Sequence, residues 1–312
     1  MIPRKIVIVS LCVLVIASVL VSSGIIYHQK CQADQPLDVE QVDIQMIPAG
    51  DIEIAYKELG TGDPLLLIMG WAGTMDLWNP SVVNTLAAHY RVIIFDNRGM
   101  GRSTATEENF TIELFAYDTA NFMDALGLEH THILGWSMGT QTALELTLDY
   151  PEKVDKLILY SANCGGDEGI FPDPEVANKF RNISGTPEER ALRAFEVLLP
   201  EQWLADHPDL STYFPNVTET SPQEHIDAQW YAMVNWNGSY SRLLQITQDT
   251  LLITGTEDIV FPPRNSFIIA EQIPGAWLAQ FKGGGHGLMF QYPENFSSIV
   301  LYFLKRSSIT CS

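Results

Sequence analysis

The chain has 312 residues, 46% of them hydrophobic, and carries 38 acidic against 18 basic side chains for a net charge of −20. That length supports one large domain, or one domain with an insertion. The acidic balance argues against nucleic acid, anionic membrane surfaces and polyanionic substrates as partners, and four cysteines without a CxxC pair offer no metal framework.

The first 30 residues differ from the rest. Arg4 and Lys5 precede an uncharged run from Ile6 to Ile26. About 20 apolar residues span a bilayer as a helix, whereas the core of a cleaved signal is usually shorter. Residues 1–30 are therefore expected to form an uncleaved N-terminal transmembrane anchor, with a cleaved signal ending near Val21-Ser22-Ser23 as the alternative. Positive charge before the run keeps the N-terminus cytoplasmic, which places the body outside the cytoplasm, membrane-anchored or secreted. Five sequons, at Asn109, Asn182, Asn216, Asn237 and Asn295, agree with that compartment. Cys12 lies in the anchor. Cys31 and Cys311 flank the body, so a disulfide joining the two ends is one option, and Cys164 stands apart. His130 and His132, at the start of a strand, are expected to be ordinary solvent-edge histidines.

Residues 31–45 read as a polar linker. Val42 to Ile47 and Ile52 to Tyr56 alternate apolar and polar residues around Pro48-Ala-Gly-Asp51, the pattern of an antiparallel hairpin. Strands and helices then alternate: strands at Pro64–Met69, Arg91–Phe95, His132–Gly135 and Lys156–Tyr160, and helices through Leu86, from Thr111 to Leu126, and after Ser137 to about Leu148. Leu251–Thr254 and Trp277–Phe281 are later strands, and a last helix runs from Pro293 to Lys305. Continuous apolar strands alternating with helices predict an α/β fold with a mostly parallel sheet covered on both faces. Between Tyr160 and Leu251 only helical patterns occur, so residues 165–245 are expected to form a helical cap inserted between core segments 46–164 and 246–312. The cap is rich in large apolar residues, among them Phe180, Phe195, Trp203, Phe214, Trp230 and Trp236, some expected to build its own core and some to face a site.

Ile133-Leu134-Gly135-Trp136-Ser137-Met138-Gly139 is a buried strand running into GxSxG and then a helix. That context makes a nucleophile elbow, in which Ser137 stands on a strained turn and the helix N-terminus faces a developing oxyanion. A serine hydroxyl needs a base held in one tautomer by an acid, and the chain order Ser, Asp, His is met. Asp258 follows one late strand in Gly255-Thr-Glu-Asp-Ile-Val-Phe-Pro262, and His286 follows the next in Gly283-Gly-Gly-His-Gly287. Both stand beyond the carboxyl ends of parallel strands, where open α/β sheets place their sites. Glu257 and Asp167 are the competing acids. An oxyanion hole needs two backbone N–H groups: one from Met138, the other from the loop Met69-Gly70-Trp71-Ala72-Gly73. Asp96 and Arg98, in a tight loop ending at Ser103, are expected to brace the elbow by satisfying backbone groups.

With MGWAG, FDNRGMGRS, GWSMG, GTEDIVFP and GGGHG in this order, the chain resembles the α/β-hydrolase superfamily, in its capped serine esterase and lipase-like branch, from about residue 50 to the C-terminus. The resemblance implies a Ser137–Asp258–His286 triad, an oxyanion hole made by the N–H groups of Trp71 and Met138, and no cofactor. A serine nucleophile excludes the relatives that use Asp in its place, the haloalkane dehalogenases and epoxide hydrolases. Met69-Gly70 stands where many relatives have His-Gly, so this loop must be braced by other groups.

The expected activity is cleavage of a small-molecule carboxylic ester, apolar or amphiphilic to suit the aromatic cap, through an acyl-enzyme. A perhydrolase or acyltransferase, a carbon–carbon or amide hydrolase, and a ligand-binding module on the same fold are the alternatives.

Overall fold

The computed structural model describes residues 38–306 apart from 216 and 218. The expected anchor and both cysteines of the proposed terminal disulfide fall outside these residues. Among the described residues no helix is long and apolar enough to cross a membrane.

One eight-stranded sheet organises the body. Its strands are β1 (Gln45–Ala49), β2 (Ile52–Leu59), β3 (Pro64–Ile68), β4 (Arg91–Phe95), β5 (Thr131–Trp136), β6 (Val154–Tyr160), β7 (Asp249–Gly255) and β8 (Trp277–Phe281). They lie in the order β1-β2-β4-β3-β5-β6-β7-β8. β1 and β2 form the hairpin, β2 joins β4 antiparallel, and every pairing from β4 to β8 is parallel. The central strands β3, β4 and β5 are buried almost throughout because both faces are covered. Leu66, Ile68, Ile93, Ile133, Leu157 and Leu159 face helices α2 (Ile112–Ala125) and α3 (Met138–Asp149). Leu65, Leu67, Val92, Leu134, Ile158 and Ile253 face helices α1 (Pro80–Ala87) and α10 (Pro293–Leu304). Each such fully buried side chain contributes about 1.5–3 kcal/mol relative to exposure.

Between β6 and β7 the described residues form helices α4 (Pro174–Arg181), α5 (Pro187–Leu198), α6 (Glu201–Asp206) and α7 (Gln223–Val234), with short 3-10 turns and no strand. Thr186 and Glu189 make a reciprocal capping box at the start of α5, with Pro187 at its first position, an arrangement that satisfies two orphan N–H groups. Helix α8 (Arg264–Gln272) and the short α9 (Leu288–Gln291) complete the body.

Two sequence expectations change here. Residues 39–41 of the expected linker form a 3-10 turn docked on α1, with Val39 buried and its N–H donated to Asn84 Oδ1 at 2.8 Å, because Asn84 supplies an acceptor and Val39 an apolar face. His132 is buried rather than solvent-edge: it packs edge-on against Tyr90, and burial holds its imidazole below the ordinary histidine range. His130 is exposed and hydrogen-bonds Asp155 at 2.6 Å.

Candidate active site

Ser137 sits between β5 and α3 with φ 57° and ψ −123°, a left-handed conformation for a residue with a side chain. The surrounding backbone over-determines it. The Ser137 N–H donates to Tyr160 O at 3.0 Å, and its carbonyl accepts from Thr140 N and from Thr140 Oγ1 at 2.6 Å. The turn requires the glycines on both sides. A Cβ on Gly139 would stand 2.2 Å from Ile68 O, and one on Gly135 would stand 2.4 Å from Gly139 O.

Asp258 and His286 meet below the carboxyl ends of β7 and β8. His286 Nδ1 lies 2.9 and 3.0 Å from the two Asp258 carboxylate oxygens, and both residues are almost fully buried. Asp258 Oδ1 also accepts the N–H groups of Val260 and Phe261, both at 2.9 Å, which fixes the carboxylate plane. With Nδ1 turned to Asp258, Nε2 is the ring nitrogen left to face Ser137. Ser137 and His286 line the same cavity. Among the described residues no hydrogen bond joins Ser137 Oγ to the imidazole in this conformation; such bonds often close only around substrate. The competing acids Glu257 and Asp167 are both exposed, and neither lines the cavity that Ser137 and His286 share.

The His286 loop is held through its backbone. His286 O accepts from the Tyr160 hydroxyl at 2.6 Å and from Trp136 Nε1 at 3.1 Å. Trp136 and Tyr160 stack with an interplanar angle of 8°. The two residues at the ends of β5 and β6 thus fix the position of a histidine that follows β8. Complete burial pushes the Tyr160 hydroxyl's pKa well above its ordinary value, so it stays a donor. No sequence signal marked this bracing.

Met138 is the first residue of α3, so its N–H belongs to the first turn and has no acceptor within the helix. The loop after β3 lies against the elbow, and a Cβ on Gly70 would stand 2.9 Å from Ser137 Cβ. Trp71, the next residue, lines the same cavity as Ser137.

The cavity measures about 410 Å³. Apart from Ser137 and His286 its walls are apolar or glycine, including Leu77, Phe180, Ala194, Phe195, Leu198 and Phe214. A second, narrow space of about 10 Å³ meets Ser137 and is lined by Val176, Phe180, Trp230, Met233 and Phe261. The aromatic residues of the insertion therefore divide. Phe180, Phe195, Phe214 and Trp230 face the site. Trp203 stacks on His207 and meets Tyr213 edge-on, and Trp236 donates to the buried Glu145 at 3.0 Å.

A family model described as "alpha/beta hydrolase fold" matches residues 63–293. The chain belongs to the α/β-hydrolase family. Within it, the chain is 30% identical over 262 residues to a protein of Azorhizobium caulinodans named "Putative carbamate hydrolase RutD", covering 81% of this chain and 96% of that one. Among solved structures, an α/β-hydrolase fold protein from Chitinophaga pinensis superposes with a TM-score of 0.74 at 26% identity, over 86% of this chain and 100% of that one. A thermophilic esterase from Thermogutta terrifontis superposes with a TM-score of 0.71 at 25% identity, over 84% and 98%.

In this hydrolase the loop beginning Met69-Gly70 is braced without a histidine. Asn97 Nδ2 donates to Met69 O at 3.0 Å, and Asp96 Oδ1 accepts from Met75 N at 2.7 Å. The Asp96–Ser103 loop therefore braces the loop after β3 rather than the elbow. Asp96 satisfies backbone groups as expected, its Oδ2 accepting from Arg102 N at 3.0 Å. Arg98 does not: it pairs with the carboxylates of Asp118 and Asp51, each at 2.6 Å, because its long side chain passes through the core to α2. Burial raises the Asp96 pKa to about 6 despite the two N–H donors.

Proposed function

We propose that the hydrolase cleaves an uncharged carboxylic ester through an acyl-enzyme. Ser137 Oγ attacks the acyl carbon while His286 Nε2 takes its proton. Asp258 holds the imidazole in the tautomer with Nδ1–H and stabilises the imidazolium. The N–H groups of Trp71 and Met138 receive the negative charge of the tetrahedral intermediate. His286 then protonates the leaving alcohol and activates the water that clears the acyl group. One observation carries the reading: a serine in a strained left-handed turn shares an apolar cavity with a histidine whose other nitrogen lies on a buried carboxylate.

Among the described residues the cavity has no acidic, lysine or arginine side chain in its wall to pair with a substrate carboxylate or ammonium, and desolvating either without a partner is costly. Apolar groups on both sides of the scissile bond fit it better. The esterase of Thermogutta terrifontis, a structural neighbour, supports ester chemistry. The name of the Azorhizobium relative raises a carbamate as the second substrate class, with the same acyl carbon and the same triad.

The test is labelling by a fluorophosphonate, run on wild type, Ser137→Ala and His286→Ala, with p-nitrophenyl esters of rising chain length and one p-nitrophenyl carbamate. Labelling and ester turnover by wild type alone are expected. Turnover retained by Ser137→Ala would remove that residue as nucleophile, and a carbamate preferred over every ester would move the substrate class. The sequence of residues 6–26 adds the proposal of an anchored, extracytoplasmic enzyme. The sequon residues Asn109, Asn182, Asn237 and Asn295 are all exposed, as glycan acceptors in such a compartment need to be.

A further inference from the structure

Helix α7 holds the loop after β3 at two successive residues. The Trp71 indole N–H donates to Ile226 O at 2.8 Å, and its ring meets Phe180 and Trp230 edge-on. The next backbone N–H, that of Ala72, donates to Gln229 Oε1 at 2.9 Å. Ala72 has φ 60°, a conformation that a residue with a Cβ rarely adopts and that persists only when its surroundings enforce it. Gln229 is fully buried, and its Nε2 has no hydrogen-bond partner among the described residues. The side chain therefore makes a single polar contact, and that contact is to the loop.

We propose that Gln229 is a positioning residue for the oxyanion hole. Its Oε1 fixes the Trp71–Ala72 peptide, and with the clamped indole this sets the direction of the Trp71 N–H. The inference rests on the ester-cleaving reading above and adds to it a dependence of the chemical step on the cap. An N–H that must point at a developing charge loses its effect when it turns by a small angle, whereas ground-state substrate, held by apolar walls, is indifferent to it.

Gln229→Met tests this, since methionine has the same reach and only a weak acceptor in its sulfur. The variant trades one unpaired polar group for another: Nε2 disappears and the Ala72 N–H loses its partner. Its melting temperature should stay within about 3 °C of wild type. Its kcat should fall about 10- to 100-fold with KM within about twofold, less than the loss of a whole oxyanion donor. Affinity for an alkyl trifluoromethyl ketone, which forms an oxyanion on the serine, should fall in parallel, while binding of the matching uncharged amide stays unchanged. Gln229→Glu keeps an oxygen for the Ala72 N–H. Protonated at low pH, it should hold kcat and ketone affinity near wild type. Should the methionine variant not fold, Gln229→Asn, whose shorter side chain withdraws the oxygen from Ala72, takes its place and should show the same paired loss of kcat and ketone affinity. Unchanged kcat in Gln229→Met, or equal losses for ketone and amide, would overturn the proposal while leaving the ester reading intact. A wild type that neither turns over esters nor takes the phosphonate would overturn both.

Discussion

Tyr160 holds His286 by its backbone and not by its ring: the buried tyrosine hydroxyl donates to the His286 carbonyl oxygen at 2.6 Å and accepts the Met289 N–H at 3.2 Å. The base of the proposed triad is thus fixed at two points, at Nδ1 by Asp258 and at its carbonyl by the end of β6. Tyr160→Phe removes the second and leaves Met289 N unpaired in the core. A stability loss of about 1–3 kcal/mol is expected, as for a buried polar group left without a partner. Turnover should fall less steeply than in any triad variant, because the Trp136 indole still holds the same oxygen. Urea denaturation and kcat on one ester check both parts.

Asp258→Asn separates orientation from charge. The amide keeps the shape of the carboxylate, but its N–H₂ cannot accept the His286 Nδ1–H, so the imidazole adopts the wrong tautomer for a base at Nε2. A drop in kcat of about 10⁴ is expected with little change in KM. A loss below about tenfold would move the acid to another carboxylate, with the exposed Glu257 next in line.

Arg98 lies at the centre of a buried charge cluster between the Asp96–Ser103 loop and α2. Its guanidinium is fully buried, Asp118 is buried beside it, and Asp51 is half-exposed. Asp118→Asn leaves a buried cation with only its outer partner. A cost of about 3–5 kcal/mol is expected, as for other broken buried pairs, and Asp51→Asn should cost much less because water already screens that carboxylate. Thermal or denaturant unfolding of the two variants side by side measures the difference.

Asp96 makes stability depend on pH in a defined window. Its folded pKa of about 6 stands above the ordinary 3.8, so between these values the folded protein holds a proton that the unfolded chain has released. Stability from this group is fully present below about pH 4 and is lost as pH rises through about 6. The shift corresponds to about 3 kcal/mol at 1.36 kcal/mol per unit. Asp96→Asn should flatten the stability profile across pH 4–6 relative to wild type. A difference curve that stays level across that window would show that Asp96 carries its ordinary pKa in the folded state.

The sheet was readable because each central strand is buried on both faces and so is apolar without a break, as in Leu65–Ile68 and Ile133–Leu134. The proposed triad was readable because strained turns require glycines, and glycines around Ser137 and His286 are visible as letters. Helix α8 was not anticipated: Arg264–Gln272 buries Asn265 and Ser266 where an amphipathic pattern expects apolar residues, with Asn265 bonded to Ile170 on both its amide atoms. Gln229 was equally silent, since a glutamine on a mixed helix reads as a solvated residue until the loop it meets is known. The Asp96 loop was assigned to the wrong neighbour, because its spacing shows a tight turn and not which of two adjacent backbone segments that turn will touch.

The shape of the cavity leads to a prediction about chain length. On α5, Ala191, Ala194, Phe195 and Leu198 fall three and four residues apart and line one wall together, the spacing of a single helical stripe. Ala191 and Ala194 are the small members of that wall and Phe195 and Leu198 the large ones, so bulk added at Ala194 shortens the room left for a chain. Ala194→Trp should lower kcat/KM for long-chain p-nitrophenyl esters about 10- to 100-fold, the range that steric exclusion of a few methylenes supports, while the acetate stays within about threefold of wild type. The converse change, Phe195→Ala, widens the same wall and should raise the ratio of long-chain to acetate activity. If both variants moved all esters equally, this wall of α5 would not select chain length.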